Sequence, residues 1–584
     1  MTELLTPPAG ASLDAAVGTT YTLNLDAFLV VPALLTLARI PSRGEQGGAA
    51  PLELLDSLRR TADRMTVFTQ AGQIAVPTGG RSKAMFAFLE HGTVPVTAPK
   101  GGVFHPKTWA LRFAHQDGTF THRIVIASRN LTFDRSWDAV ISMDEGDQGE
   151  PLQGYADFLR RLPDLALADL APEHLERVLS VARSIARARF VPPAGYHTSQ
   201  VHVLGMGARS DKRLLPARID RALIVSPFLK RALLDEVHIA WDRLSVVSRS
   251  ADLDSELTED LGCEALELRP DLVGDDVDEI GDGMVFPLSG LHAKVFVFDT
   301  GRDSTTWVGS ANATCAAFNT NVEILLELEG SRSGTGVAKW LEDAASPEQQ
   351  NFRSILQQHI WSDVPVVTDD EADTDLDRAR REFAAIPVDA WVDNLDDMSF
   401  SVRYMTCDPL PDLAGIRIRA RPLTLSGWHE VRTGSSLDLT RPATLEGLTG
   451  FLVYELRRGR LHTEFVVRAE MHGEPDGRRG RLIAQLLQDP DRLIRYLMLL
   501  LRDEIDDRFN NGDGGAPPPG SGGARALETL PLVERFVRAA SRKPETIGHI
   551  QQLFADLENT EVVPAGLREL WAEIWNAVNI GSVS

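Results

Sequence analysis

The chain has 584 residues, 43% of them hydrophobic, with 60 Lys and Arg against 83 Asp and Glu and a formal net charge of −23. That ordinary apolar fraction excludes wholesale disorder, and roughly 100–200 residues per domain predicts three or four domains. Three widely spaced cysteines, Cys263, Cys315 and Cys407, argue against a disulfide scaffold or a cysteine-rich zinc module.

In chain order, the apolar and β-branched runs at 21–25 and 65–69 predict strands, and the patterns at 52–64 and 82–90 predict helices. Strands follow at 93–97, 104–113 and 123–127, then a long amphipathic helix at 172–189 that ends before Pro192 and Pro193. The scheme repeats with a strand at 222–225, the turn Ser226-Pro227-Phe228, a helix at 229–240, and strands at 244–247, 290–298, 305–308 and 322–328. Past residue 370 the texture changes. Strands are predicted at 400–406, 415–421, 449–456 and 461–471, with Arg457-Arg458-Gly459-Arg460 as a hairpin turn between the last two. A helix at 481–508 is interrupted at Pro490, residues 510–523 have the composition of a flexible linker, and the remainder is helical.

No run of about 18 uncharged apolar residues occurs, so no spanning helix is expected. Residues 1–20 lack a basic start and an apolar core, so they do not read as a secretory signal, and a cytoplasmic location is expected. Acidity argues only weakly against a nucleic-acid partner: charge is screened beyond about 8–10 Å at physiological salt, and a local basic cleft can dominate. The acidic stretches at 252–282 and 369–377 are expected to be solvated loops.

The chemistry concentrates in one segment. His292 and Lys294 are two apart and share a face if the segment is a strand. Gly309-Ser310-Ala311-Asn312 and Asn321-Val322-Glu323 follow. An imidazole, an ammonium, a hydroxyl, two carboxamides and a carboxylate within 32 positions suit a phosphodiester, whose oxygens need donors and whose phosphorus needs a nucleophile or an acid.

This segment resembles the phospholipase D superfamily, whose H-x-K-x4-D, G-S-x-N and N-x-E signature is met by His292, Lys294, Asp299, Gly309, Ser310, Asn312, Asn321 and Glu323. A second half-site is offered by His105, Lys107, Ser128 and Asn130. Its His-to-Asn spacing is 25 against 20 in the complete motif, which implies a longer hairpin turning at Gln116-Asp117-Gly118. It departs from the pattern in two places. Arg112 stands where Asp299 does, and no Asn-x-Glu follows, so Asp138 is the stand-in for Glu323.

The resemblance implies an α/β fold of two pseudo-symmetric α-β-α sandwich halves, here 1–200 and 201–365. A mixed α/β accessory domain at 366–509, a linker at 510–525 and a small helical domain at 526–584 would follow. It also implies a metal-independent phosphodiesterase without cofactor. One histidine would be the nucleophile forming a phosphohistidine and the other the general acid; near-symmetry leaves both assignments open, with His105 as nucleophile and His292 as acid taken first. Glu323 would orient His105, and Asp138 would orient His292. Lys107, Lys294, Ser128, Ser310, Asn130, Asn312 and Asn321 would hold the phosphoryl oxygens. Both half-sites lie in one chain, so a monomer suffices.

The expected substrate is nucleic acid, DNA first, in a setting of defence against foreign DNA beside a protein partner such as a helicase. The alternatives are a phospholipase-type hydrolase and a catalytically weak nucleic-acid-binding subunit. Arg417, Arg419 and Arg421, with Arg457, Arg458, Arg460, Arg478, Arg479 and Arg481, are candidates to track a phosphate backbone. Trp109, Trp137 and Trp307 lie near the motifs, with core packing as their expected role and stacking on bases as the alternative. His91, His115, His122, His197 and His462 read as ordinary surface or core residues, and Cys315 as packing.

Overall fold

The computed structural model describes residues 2–36, 51–78, 83–133, 136–207, 214–272, 290–343, 351–362, 371–396, 399–413, 415–487, 490–501, 535–536, 539, 544–558, 560 and 562–581. The linker expected at 510–525 lies outside them, as do parts of the acidic stretches and of the predicted C-terminal helices.

The fold is mixed α/β. In chain order the first strands are β1 (Ala11–Thr20), β2 (Leu23–Asn24), β3 (Met65–Gln70), β4 (Ile74–Ala75), β5 (Thr93–Val96), β6 (Thr108–His115), β7 (Phe120–Ala127) and β8 (Val140–Glu150). They form a sheet in the order β5-β3-β1-β6-β7-β8, with β2 and β4 apart. β5, β3 and β1 run parallel, while β6, β7 and β8 continue antiparallel.

The next strands are β9 (Tyr196–Leu204), β10 (Arg221–Val225), β11 (Leu244–Val247), β12 (Glu264–Leu268), β13 (Val295–Thr300), β14 (Asp303–Gly309), β15 (Glu323–Ser331) and β16 (Leu356–Gln358). Their order is β16-β12-β11-β10-β13-β14-β15-β9. Again three parallel strands, β12, β11 and β10, give way to antiparallel β13, β14 and β15. The inner faces of the two sheets share one core. Val17, Phe68, Ala110 and Ile124 of the first meet Val322, Ile324, Leu326 and Leu328 of the second, with helices Gln153–Arg161 and Pro172–Ile185 packed in.

The central strand β1 was not among the predicted elements. Its run of Ala, Val, Gly and Thr is buried on both sides from Ala15 onward, so it shows no alternation, and its residues are too small to read as a β-rich run. Of the strand expected at 21–25 only the two-residue β2 forms, and the chain then turns into a helix, Leu25–Thr36, where Asn24 Oδ1 accepts the Ala27 N–H at 3.0 Å as an N-terminal cap. The acidic stretches are not loops throughout. One contains helix Ser250–Glu256 and the largely buried β12, and the other enters helix Glu371–Ala384.

A third sheet is built from β17 (Val388–Asn394), β18 (Ser399–Met405), β19 (Arg417–Pro422), β20 (His429–Val431), β21 (Asp438–Thr444), β22 (Phe451–Arg458) and β23 (Leu461–His472), in the order β20-β19-β22-β23-β17-β18-β21. It is stitched to the first sheet's loops, because β4 pairs with both β2 and β23. The C-terminal helices share a core with the N-terminal region: Ile547, Ile550 and Leu553 pack in the same apolar cluster as Phe28, Leu55 and Leu58.

One buried ion pair locks these parts together. Arg478 donates to Glu90 at 3.0 Å, to Glu474 at 2.9 Å and to the Leu448 carbonyl at 2.8 Å, while Glu90 also accepts the Gly450 N–H at 2.8 Å. Both side chains are about 95% or more buried, at 3% and 5% exposure. Replacing Arg478 by Met leaves a buried carboxylate without its cation, a loss of about 3–5 kcal/mol. The expected outcome is a clear fall in the urea midpoint, and Glu90→Gln combined with Arg478→Met is expected to recover part of it.

Candidate active site

The two histidine–lysine segments precede their strands rather than lying within them. His105 and Lys107 lead into β6, and His292 and Lys294 lead into β13. Their backbones pair across to the other sheet's connections instead. The Val322 N–H donates to the Val103 carbonyl and the His105 N–H to the Val322 carbonyl, both at 2.9 Å. On the other side the Trp137 N–H donates to the Gly290 carbonyl at 2.8 Å, and His292 and Ala293 donate to the Trp137 carbonyl at 2.9 and 2.8 Å. Phe104 and Val322, and Trp137 and Leu291, thus form two short parallel bridges.

This crossing needs close backbone approach. A Cβ on Gly102 would lie 2.0 Å from the Thr320 carbonyl oxygen; between β14 and β15 of the second sheet, one on Gly309 would likewise lie 2.0 Å from that of Ile324. Glycine is the residue that admits both contacts.

The bridges set each imidazole against a carboxylate from the opposite segment. His105 Nδ1 lies 2.9 Å from Glu323 Oε2, and His292 Nδ1 lies 2.8 Å from Asp138 Oδ1. Both carboxylates are buried, so each imidazole donates Nδ1–H and keeps its Nε2 lone pair. The serines support the acids. Ser128 Oγ donates to Asp138 at 2.8 Å and accepts the Ala139 N–H at 2.9 Å; Ser310 Oγ donates to Glu323 and accepts the Ile324 N–H at 3.0 Å. Their hydroxyl protons therefore go to the carboxylates rather than to a bound oxyanion.

Each lysine is folded back onto its own histidine. Lys107 Nζ donates to the His105 carbonyl at 2.8 Å, and Lys294 Nζ to the His292 carbonyl at 2.6 Å. Both are buried, and each imidazole's affinity for a proton is lowered by both ammonium groups. Burial pushes His105 down to about 4, with Lys107 and Lys294 opposing the pull of Glu323. His292 is lowered for the same reasons, burial first and Lys294 next. Burial also holds Lys107 well below the usual lysine range. For Asp138, burial pushes upward but is outweighed by hydrogen bonds from His292 and Ser128, leaving it below the ordinary carboxylate value.

The carboxamides divide. Asn321 is committed to the crossing, with Oδ1 accepting the Val103 N–H at 3.2 Å and Nδ2 at 3.4 Å from Glu323 Oε1. Asn130 Oδ1 accepts from Thr22 N at 3.4 Å, whereas Asn312 Oδ1 is buried with no hydrogen-bond partner among the described residues. Their loops are tied down alike. Leu131 N donates to Thr20 Oγ1 at 2.9 Å and that hydroxyl to the Thr22 carbonyl at 2.7 Å; Ala313 N donates to Ser226 Oγ at 2.9 Å and that hydroxyl to the Phe228 carbonyl at 2.7 Å.

Asp299 and Arg112 lie away from the histidines. Asp299 accepts the Val337 N–H at 3.1 Å and pairs with Arg332 at 3.3 Å, and Arg112 pairs with Asp14 and Ser180.

Three side chains enter the site with no motif to announce them. The Tyr21 ring lies edge-on to His105 at 5.1 Å, with Lys107 Nζ 5.7 Å from its centre. Arg129 approaches Asp138 at 3.6 Å, where the second segment has Ala311. Gln70 Oε1 accepts the Phe104 N–H at 2.7 Å. The ends of β1 and β3 bring in Tyr21 and Gln70, while Arg129 lies between Ser128 and Asn130 in the loop after β7.

The candidate phosphate-tracking arginines are largely paired internally. Arg419 and Arg457 both bind Glu455, Arg458 binds Asp375, Arg479 binds Asp63, and Arg478 holds Glu90. The abundant carboxylates nearby have taken them. Trp109 and Trp307 are core residues, whereas Trp137 is 40% exposed. Among the described residues no helix is long and apolar enough to cross a membrane, and no cluster of three or more His, Cys, Asp or Glu is placed to hold a metal ion.

No protein-family model matches the sequence, and no curated protein matches it. Among solved structures the chain is similar to yeast tyrosyl-DNA phosphodiesterase, at 11% identity and a TM-score of 0.35, over 57% of this chain and 85% of that one. It is also similar to polyphosphate kinase from Porphyromonas gingivalis, at 10% identity and a TM-score of 0.28, over 54% of this chain and 40% of that one. Likeness of this degree carries no weight for the chemistry, which rests on the residues themselves.

The burial of His105 predicts its titration. Its ring signal in a pH series followed by NMR is expected to stay neutral from pH 8 to 5 and to move near pH 4. An unfolded histidine binds its proton near 6.5, so acid favours the unfolded chain. This group's contribution to stability is therefore expected to fall as pH drops from about 6.5 towards 4, and His105→Gln is expected to flatten that part of the pH–stability curve.

Proposed function

We propose that this chain is a phosphodiesterase of the phospholipase D type that cleaves nucleic acid, DNA first, through a phosphohistidine. One observation carries the reading: two imidazoles from distant parts of the chain are each held by a carboxylate from the other's segment, with two buried ammonium groups acting on both.

In the first step His105 Nε2 attacks phosphorus, a P–N bond forms and the P–O bond to the leaving group breaks. His292 passes its proton to the departing oxygen. In the second step neutral His292 takes a proton from water, the hydroxide attacks phosphorus, and the P–N bond breaks to restore His105. His105, pushed down to about 4 by burial, is unprotonated at neutral pH, as a nucleophile must be. His292 gains its proton when the anionic substrate arrives. Lys107 and Lys294 neutralise the charge that develops on the phosphoryl oxygens, in a site shielded from water. That charge is met by side chains of the chain itself, so activity is expected to survive EDTA.

The assignment is tested with a p-nitrophenyl phosphodiester, whose leaving group needs no acid. His292→Ala is expected to accumulate a phosphoryl adduct on His105, read by mass spectrometry, while its turnover of ordinary DNA falls about 10²–10⁴-fold. An adduct on His292 in a His105→Ala variant would reverse the roles, and no adduct in either would remove the covalent step. Assays on plasmid, single-stranded DNA, RNA and phosphatidylcholine vesicles, with and without EDTA, decide the substrate. Choline release with nucleic acid untouched would overturn the nuclease reading.

A further inference from the structure

Exposed aromatic rings cluster around the catalytic edge. Among the described residues the exposed large aromatics are Phe120, Phe133, Trp137, Phe228 and Trp391. Phe120 lies at the far hairpin beneath Arg112, and Trp391 is stacked on His472 in the third sheet. The other three flank the centre. Trp137 immediately precedes Asp138, and its carbonyl holds the His292 backbone. Phe133 is three residues past Asn130 and 60% exposed. Phe228, 44% exposed, lies three residues past the end of β10, and its loop is wired through Ser226 to the Asn312 loop.

Phe228 is also backed. The Arg249 guanidinium lies 4.0 Å from its ring centre and is pinned by the Pro227 carbonyl at 2.9 Å and by Asp252 at 2.9 Å. The result is a flat, rigid face with a cation against it, next to a centre built for a phosphodiester. Bare apolar rings cost solvation at a surface, and a fixed ring backed by a guanidinium suits a π-face better than an acyl chain.

We propose that Phe228, backed by Arg249, is a stacking platform for an unpaired base of the substrate strand, with Trp137 and Phe133 taking bases beside it, so that the substrate is single-stranded. A paired base keeps its faces inside the duplex and cannot use such a platform. The proposal deepens the phosphodiesterase reading and rests on it for the identity of the ligand.

The test uses the full chain and an oligonucleotide carrying 2-aminopurine, whose emission is quenched by stacking. Binding is expected to quench it. Phe228→Ala is expected to weaken binding about tenfold and to lessen the quench, Phe228→Trp to restore both, and Phe120→Ala to change neither. A duplex of the same sequence is expected to compete poorly. Unchanged affinity in a folded Phe228→Ala variant, no quench in the unsubstituted protein at saturation, or equal competition by duplex would each overturn the platform. Hydrolysis of bis(p-nitrophenyl) phosphate by the unsubstituted protein tests the reaction separately. Quenching that depends on Phe228 without that hydrolysis would leave the platform standing and remove the phosphodiesterase.

Discussion

Two short backbone bridges organise this molecule's chemistry. Each joins the segment carrying one histidine to the residue beside the opposite carboxylate: Phe104 to Val322, and Leu291 to Trp137. A hydrogen-bonded backbone has little slack, so the register of each bridge fixes which side chain faces which. With that register, Glu323 meets His105 and Asp138 meets His292. Neither imidazole has its partner on its own sheet.

The crossing also explains the surroundings. A carboxylate buried between two sheets needs hydrogen-bond donors, which is why Ser128 and Ser310 turn inward to the acids, while Asn321 serves the backbone. The lysines, buried beside the histidines, lower the imidazoles' affinity for protons while the carboxylates hold the rings in one orientation. The two half-sites differ where this bonding allows it. Tyr21 and Arg129 have no counterparts of their kind in the second segment, where Pro227 leads into the exposed Phe228 and Ala311 stands in the loop.

Distance from the crossing relaxes the constraint. The position seven after each histidine is Arg112 in one segment and Asp299 in the other, and each finds its own ion pair at the far end of its strand. The third sheet uses its arginines in the same way, pairing them with carboxylates of the chain. The net charge of −23 supplies ample acid for that purpose.

The motif residues were readable in the amino-acid order because the proposed phosphodiester chemistry demands particular functional groups at short, fixed spacings: His292 and Lys294, Ser310 and Asn312, and the looser His105, Lys107, Ser128 and Asn130. Strands with β-branched runs, such as β11 and β22, were readable for a similar local reason. β1 was not, since a small-residue strand buried on both faces leaves no periodic trace. Nor was the destination of any side chain. Whether Ser128 faces a phosphate or Asp138, whether Arg478 is solvated or locked on Glu90, and which of Trp109, Trp137 and Trp307 reaches the surface were decided only by the packing of sheets against one another. That packing depends on hydrogen bonds and contacts between residues far apart in the chain, and no local pattern records them.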